Sequence, residues 1–362
     1  MNSFDDIAVR LGSLPLDVVA MLGAIEHSRG REDLYRVQAP QVLERLAART
    51  RFDSITASSA IEDVVLDDER ALEVIRGTDV GPYADRREEE FAGYRDAVDY
   101  VVAKEAEPLT VPLVLHLHRT LMRHTGDEQA GKLKVNDNFV GDIGDDGSRT
   151  VVLKTTPAGQ PTEHALVELV ARYEDALARR AGPALLMTAA LVVDLLAIHP
   201  FEDGNGRVAR LLTTQEMLRH GYGVARYASL EQRVYDSRNS YYLALRRSQS
   251  GWREGGHDLL PWIRYLLQVV ADAYEDFETR VAAGTALSGA TKREQARNYI
   301  RDQAPRRFRF AQIVDALPDI SQATIRIALD ELRDEGLLTA SRGRRALWER
   351  VDGADATGAG PR

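Results

Sequence analysis

The densest chemistry in the chain lies in one run, His199-Pro-Phe-Glu-Asp-Gly-Asn-Gly-Arg-Val-Ala-Arg210. His199 is the group here that exchanges a proton near neutral pH, as a general base must. Asp203 is a hard oxygen ligand suited to a Mg2+ that bridges phosphates. Gly204, Asn205 and Gly206 tolerate unusual φ, and the glycines let an anion approach the backbone. Arg207 and Arg210 project from neighbouring positions of one helix face, and their guanidinium forks match phosphate oxygens. Taken singly, each element is ordinary: a Gly-Asn-Gly is a turn, and a histidine before proline is structural. Base, metal carboxylate, anion nest and two arginines in one run describe a phosphoryl- or nucleotidyl-transfer site.

Such a run needs a helix ending at its start and another beginning within it. The apolar stretch Ala184 to Ile198, broken by Asp194, is too short to span a bilayer and predicts a buried helix ending at His199. Pro200 turns the chain out of that helix, and Phe201 can pin the turn into the core. A second helix is predicted from about Arg207 to His220, with Gly221 as its stop. Helical periodicity recurs over Val42 to Ala48, Phe91 to Val102, Val111 to Met122, Leu166 to Leu177 and Leu259 to Val281, so the fold is expected to be mainly α. One exception is β-prone. Asn138-Phe-Val-Gly-Asp-Ile143 and Arg149-Thr-Val-Val-Leu-Lys-Thr-Thr156 flank Gly-Asp-Asp-Gly-Ser, which predicts a hairpin. A hairpin is too small to stand alone, so it must lie on the helices as a lid or substrate platform.

With 362 residues, two or three domains are expected, and 44% hydrophobic with 28% charged residues is ordinary for a soluble globular chain. The absence of cysteine excludes disulfides, thiolate metal sites and a cysteine nucleophile. It is compatible with a reducing cytoplasm, the expected location, and Met-Asn-Ser-Phe-Asp-Asp does not read as a secretory signal. The net charge is −9, yet residues 286–352 hold 13 Lys+Arg against 10 Asp+Glu. An acidic body with a mildly basic end argues against a chain built mainly to grip nucleic acid, and nothing points to a membrane.

The expected organisation is an N-terminal helical region over residues 1–105, a catalytic core over 106–281, a small-residue linker over 282–291, a C-terminal unit over 292–352 and a disordered tail over 353–362. The C-terminal unit predicts helices over Glu294 to Gln303 and Phe310 to Leu317. A third is capped by Ser321, with Ile325, Ala328, Leu329 and Leu332 on one face, and Gly336 ends it. A hairpin follows over Leu337 to Trp348, tipped by Arg342-Gly-Arg-Arg345. That order is a winged helix-turn-helix pattern. Its recognition helix carries Arg326 and Arg333 against Asp330, Glu331, Asp334 and Glu335, a poor match to phosphate. Protein contacts or dimerisation are therefore favoured over DNA binding.

The run His199 to Arg210 resembles the signature of the Fic family, His-Pro-Phe-x-Asp/Glu-Gly-Asn-Gly-Arg-x-x-Arg, at every fixed position. The resemblance extends over about residues 30–285. Gly131-Lys-Leu-Lys134 is similar to the family's Gly-x-x-Arg, with Lys for Arg, and the hairpin is similar to its flap. The resemblance implies an all-α Fic fold with a β-hairpin flap and a protein adenylyltransferase using ATP and Mg2+. It implies His199 as the base that deprotonates a Ser, Thr or Tyr hydroxyl of a target protein, which could be the enzyme itself. Asp203 would hold Mg2+. Gly204, Asn205, Gly206 and Arg207 would cradle the phosphates, with Val208 and Ala209 beside them, and Arg210 would bind the γ-phosphate. Flap residues Val140, Gly141, Asp142 and Ile143 would line the nucleotide and hold the target by strand addition. Tyr241, Tyr242 and Gln249 would contact adenosine. A homodimer also fits the resemblance.

Ser58-Ser-Ala-Ile-Glu62-Asp63 places Ser58 and Glu62 on one helical face. It resembles the family's inhibitory helix, Ser/Thr-x-x-x-Glu-Gly/Asn, with Asp63 departing at the last position. The resemblance implies that Glu62 pairs with Arg210 and blocks the γ-phosphate from within the same chain. On charge grounds alone, an acid in the arginine's phosphate position is a competitor. Rival readings are the same site with another donor such as UTP, removal of AMP from a protein, or a nucleotide-sensing DNA-binding regulator. A metallohydrolase using His199 and Asp203 lacks a third ligand at metal spacing.

Overall fold

The computed structural model describes residues 2–77, 82–104, 107–143, 149–287, 291–341 and 347–351, without the side chains of 142, 143, 149–152, 286 and 287. In chain order the elements are α1 (Ile7–Arg10), α2 (Leu16–Gln38), α3 (Pro40–Ile61), α4 (Asp68–Arg76), α5 (Arg86–Ala103), α6 (Val111–Leu121), β1 (Phe139–Ile143), β2 (Arg149–Lys154), α7 (Gln160–Ala178), α8 (Ala184–Ile198), α9 (Asn205–Arg219), α10 (Leu230–Asp236), α11 (Arg238–Gln249), α12 (Leu260–Leu287), α13 (Lys292–Asn298), β3 (Arg307–Arg309), α14 (Phe310–Ala316), α15 (Gln322–Asp334), β4 (Leu338–Ala340) and β5 (Leu347–Arg350). The chain is mainly α, as expected. It divides into two compact units: Met1–Asp33 with Thr50–Glu275, and Leu34–Arg49 with Asp276–Arg362.

The first unit is built around α8. Every residue from Leu185 to Ile198 is buried, so this helix has no solvent face and packs on all sides. Its neighbours in the bundle are α7, α9 and α11. The helix α9 is also buried along most of its length, and α5 and α6 lie against it. Gly93 on α5 allows the closest approach: a Cβ there would lie 1.9 Å from the Leu121 carbonyl oxygen. The hairpin β1–β2 is antiparallel, with Phe139 opposite Lys154, Ile143 opposite Arg149 and a bulge at Val140/Gly141. Its connecting residues 144–148, where the sequence predicts an Asp-Gly turn, lie outside the described residues.

In the second unit the expected linker is only partly one, because α12 runs on to Leu287. Small residues serve close packing there: a Cβ on Gly284 would lie 2.6 Å from a methyl of Val42 on α3. Beyond it, Ile300, Phe308, Ile313, Ile325, Leu329, Leu332 and Leu338 form a separate apolar core. Strand β5 pairs with both β3 and β4, giving an antiparallel sheet in the order β3-β5-β4. The strand β3, with only three residues, was not foreseen from the sequence. The basic tip Arg342 to Arg345 and the tail 353–362 lie outside the described residues. Among the described residues, no helix is long and apolar enough to cross a membrane.

Candidate active site

Helix α8 ends at His199, which adopts φ 54° and ψ 63°, a left-handed conformation rare for a residue with a side chain. That turn places the imidazole at the start of the loop. His199 Nδ1 lies 3.2 Å from the Leu196 carbonyl oxygen. A carbonyl only accepts, so Nδ1 carries the proton and Nε2 keeps its lone pair. Burial pushes the imidazole down to about 4, with the nearby Lys134 charge acting in the same direction. His199 is therefore neutral across the physiological range.

The loop after it is locked from within. Asn205 Oδ1 accepts from Phe201 N at 3.0 Å, and Asn205 Nδ2 donates to Phe201 O at 2.8 Å. Phe201 is fully buried and stacks on His118, with ring centroids 3.8 Å apart and planes 10° from parallel. His118 Nδ1 accepts from Gly131 N at 2.9 Å, which obliges Nε2 to be the donor to Asp203 O at 3.2 Å. Burial pushes His118 down to about 4, which keeps it in this neutral form. Gly204, at φ 77°, begins α9 without a side-chain cap, and a Cβ there would meet Leu121 at 3.0 Å. Its amide donates to Asp203 Oδ1.

The first turn of α9 has no side-chain cap for its amides. Val208 N closes onto Gly204 O within the helix, whereas Asn205, Gly206 and Arg207 are the helix-start residues whose amides have no intrahelical acceptor. These amides and the helix dipole form an anion cradle. Val208 and Ala209 follow in the same turn. Their side chains are buried in the core, so they support the turn from behind and offer no side chain to a ligand.

The two arginines differ in role. Arg207 is buried, and its Nη1 donates to Glu90 Oε2 at 2.8 Å, with Asp203 Oδ2 3.4 Å from Nη2. Glu90 also accepts from Arg86 Nε at 2.7 Å, so one carboxylate on α5 restrains two guanidinium groups. Arg207 Nε is buried with no acceptor among the described residues. Arg210 donates from Nε to Ser58 Oγ at 2.8 Å and from Nη2 to Glu62 Oε1 at 2.8 Å. Burial would lower the Arg210 pKa, but the Glu62 charge outweighs it and raises it. Burial works against the ionised Glu62 too, and Arg210 overrides it, holding the carboxyl below its ordinary range. Glu62 also comes against the cradle itself: a Cβ on Gly206 would lie 2.7 Å from Glu62 Oε1. Helix α3 stops at Ile61, so Glu62 sits in its closing turn rather than on the helix, with Asp63 at φ 60°.

Asp203 is an exposed carboxylate, its side chain 58% accessible. Among the described residues no three His, Asp or Glu side chains converge as a metal cage. One exposed carboxylate beside an anion cradle still fits Mg2+, which is commonly held by a carboxylate or two plus substrate phosphates and water.

Of the expected adenosine contacts, Tyr242 is half-exposed at 47%. Tyr241 is buried, its ring edge-on to Trp262 and Tyr265. Gln249 is buried between helices, its amide donating to Val193 O at 3.4 Å, which ties α11 to α8 rather than facing a ligand. Val140 and Gly141 lie on β1 at the bulge, and the side chains of Asp142 and Ile143 lie outside the described residues. Sequence reasoning missed His118, Glu90 and Arg86, because each reaches the loop from a distant helix and carries no local pattern.

Fold and site together define a helical protein with an anion-binding helix start, a neutral histidine base and a hairpin beside it. Residues 108–217 match the family model described as the Fic/DOC family. The chain is 26% identical over 242 residues to the protein adenylyltransferase fic-1 of Caenorhabditis briggsae, covering 65% of this chain and 43% of that protein. It is 25% identical over 266 residues to the protein adenylyltransferase Fic of Nematostella vectensis, covering 70% of this chain and 55% of that protein. It thus spans about half the length of these curated relatives. A Fic family protein from Desulfovibrio desulfuricans has a similar fold, with TM-score 0.59 at 23% identity, covering 97% of this chain and 98% of that one. A fic-1 fragment from Caenorhabditis elegans gives TM-score 0.57 at 20% identity over 73% of each chain.

Proposed function

We propose that this site transfers AMP from ATP to a hydroxyl side chain of a protein and that Glu62 restrains the transfer. The observation that carries the reading is a neutral histidine, Nε2 unprotonated, a few residues before the uncapped helix start at Asn205, Gly206 and Arg207. The names of the relatives, protein adenylyltransferases, support the same reaction.

In this reading His199 Nε2 takes the proton of the target hydroxyl. The freed oxygen bonds to the α-phosphorus, the bond to the bridging oxygen breaks, and pyrophosphate leaves. An imidazole held near 4 is a weak base alone, but the negative phosphates favour its charged form and strengthen it when ATP is bound. The amides of the cradle and the orphaned Arg207 Nε are donors for phosphate oxygens, and Arg210 is the partner of the γ-phosphate. Asp203 would hold Mg2+, which supplies charge neutralisation at the phosphates. Val140 to Ile143 offer a strand edge to nucleotide and target, and Tyr242 offers a ring to adenosine. Glu62 occupies Arg210 in competition with the γ-phosphate, so the described state is the restrained one.

The C-terminal unit has the element order of a winged helix. Its third helix, α15, is tied through Glu331 and Glu335 to Arg293 and Arg297, so these two arginines are already paired within the unit. It serves protein contacts in this reading.

Incubation with ATP labelled at the α-phosphate, Mg2+ and a lysate of the source cells should label a protein in a His199-dependent way. Mass spectrometry of the product identifies the adduct, and a mass other than AMP would replace ATP as donor. Label retained in His199→Ala would remove the base assignment.

A further inference from the structure

We propose that Lys134 is a positioning residue: its ammonium charge, and not only its bulk, fastens the base of the hairpin to the two residues that flank His199. The geometry for this is complete. Lys134 is 1% exposed. Its backbone N donates to Pro200 O at 2.9 Å, and its Nζ donates to Ile198 O at 3.1 Å. The chain therefore grips His199 from both sides. The same Nζ donates to Asn138 Oδ1 at 2.8 Å and to Thr155 Oγ1 at 2.9 Å, the residues that enter and leave the hairpin.

Each of these three oxygens must accept. Ile198 O is a carbonyl. Asn138 Nδ2 is spent on Phe201 O at 2.9 Å, which fixes Oδ1 as the acceptor. Thr155 Oγ1 donates its proton to Asn138, with Asn138 O 2.7 Å away, so it meets Lys134 with a lone pair. An ammonium has three protons for three acceptors. A neutral amine has two, and its own lone pair would face an acceptor. The tripod is built for the charged form and for lysine rather than arginine, whose donors lie in a plane.

The surroundings do little to hold that charge. The carboxylates facing Lys134 are Asp137 and Glu202, and Arg253 opposes it. Asp137 accepts from Ala158 N, and Glu202 accepts from Val135 N and Asn136 N. Arg253 donates to Lys154 O and Thr155 O at the same end of the hairpin. Burial pushes the lysine down to about 8. The latch should thus open at mildly alkaline pH, and the hairpin should lose its fixed relation to His199.

The link to catalysis rests on the function proposed above, but the latch can be measured without activity. The chain has five lysines, so ε-13C-lysine labelling gives a simple spectrum, with Lys134 assigned by its loss in Lys134→Arg. We expect Lys134 to titrate near 8. The Val140 and Leu153 methyl resonances should move with the same midpoint in the wild type and lose that step in Lys134→Met. Titration of Lys134 with the other lysines at about 10.4, or methyls blind to its titration, would overturn the proposal. In the transfer assay, kcat should fall about tenfold per pH unit above the midpoint with KM for ATP unchanged. Lys134→Arg should flatten that limb, and Lys134→Met should be slow throughout. An unchanged alkaline limb in Lys134→Arg would also overturn the proposal. Absence of transfer at every pH would count against the proposed reaction and leave the spectroscopic result to decide the latch.

Discussion

Replacing Glu62 by glutamine removes one charge and almost no volume, which makes it a sharp perturbation of the restrained state. Glu62 Oε1 accepts from Arg210 Nη2 at 2.8 Å, and the Arg210 side chain is 6% exposed. A hydrogen bond between charged groups contributes about 1.5–3 kcal/mol. The Glu62 side chain is 33% exposed, at the boundary where screening matters, so the lower part of that range applies, about 2 kcal/mol. A γ-phosphate must overcome this to engage Arg210. At about 1.4 kcal/mol per factor of ten, Glu62→Gln should raise transfer about thirtyfold at ATP below KM. Glu62→Gly should do at least as well, because it also clears the carboxylate from Gly206. Initial rates of α-phosphate label incorporation, with ATP affinity measured by calorimetry, give the comparison. Equal rates in all three proteins would refute the restraint. Release by glycine but not by glutamine would refute the charge argument and leave bulk as the block. Mild acid should not mimic the substitution. The Glu62 carboxyl is held below its ordinary range, so the pair is lost only as pH falls through that lowered value.

Asp63 stands at φ 60°, where glycine is at ease and aspartate is strained by about 1 kcal/mol. Asp63→Gly should raise stability by about 0.5 kcal/mol in urea unfolding, once the greater freedom of unfolded glycine is counted, and lower basal transfer about twofold by steadying the turn that carries Glu62. Unchanged transfer would separate the turn from the restraint. His118→Phe keeps the stack on Phe201 but strands Gly131 N and Asp203 O, so it should cost about 2–4 kcal/mol of stability and weaken ATP binding. Wild-type affinity in a folded variant would show that the loop holds itself. Burial pushes His118, His199 and His257 down to about 4, and it pushes Asp194 up to about 6. Near pH 5 the unfolded chain therefore binds up to three more histidine protons, offset by one more on folded Asp194. Stability should fall by about 3 kcal/mol per unit as pH drops there, an upper bound that urea midpoints at several pH values can check. A flat profile between pH 7 and 5 would contradict the buried neutral histidines.

The parts of the site that were legible in the sequence are those written locally. Helix α8, the stop at His199, the glycines and the start of α9 all follow from adjacent residues, and each lies within a few positions of its expectation. The hairpin is legible for the same reason, through its alternation and turn residues. What was not legible depends on what lies behind a residue. Val208 and Ala209 face the core because α9 is buried on almost every side, and a run of this kind looks the same whether one face or all faces are covered. Gln249 occupies a helical position next to aromatic residues, yet its amide is spent on Val193 O. His118 sits in Val111 to Met122, where periodicity marks a helix and says nothing of which side chain meets Asp203. Small residues at 282–285 suggested a linker because composition cannot tell a loose chain from one that is small to let α3 pass.

Under the restraint proposed above, the position of Glu62 leaves the cradle both guarded and usable. A guard made of bulk would have to be removed before ATP could bind at all. A carboxylate beside Arg210 is instead an acceptor in a place built for an acceptor, so it satisfies the Arg210 donor that a phosphate would engage. The restrained state leaves Arg210 no unmet buried charge, and exchange of carboxylate for phosphate keeps that guanidinium paired throughout. The rest of the cradle does not depend on Glu62. Arg207 is held by Glu90, Asp203 by His118, and the loop by Asn205. Displacing one side chain at the end of α3 therefore changes occupancy at Arg210 while the base and the amides stay where they were. If the proposed restraint holds, it sets how much ATP binds productively and leaves the geometry of the proposed transfer alone.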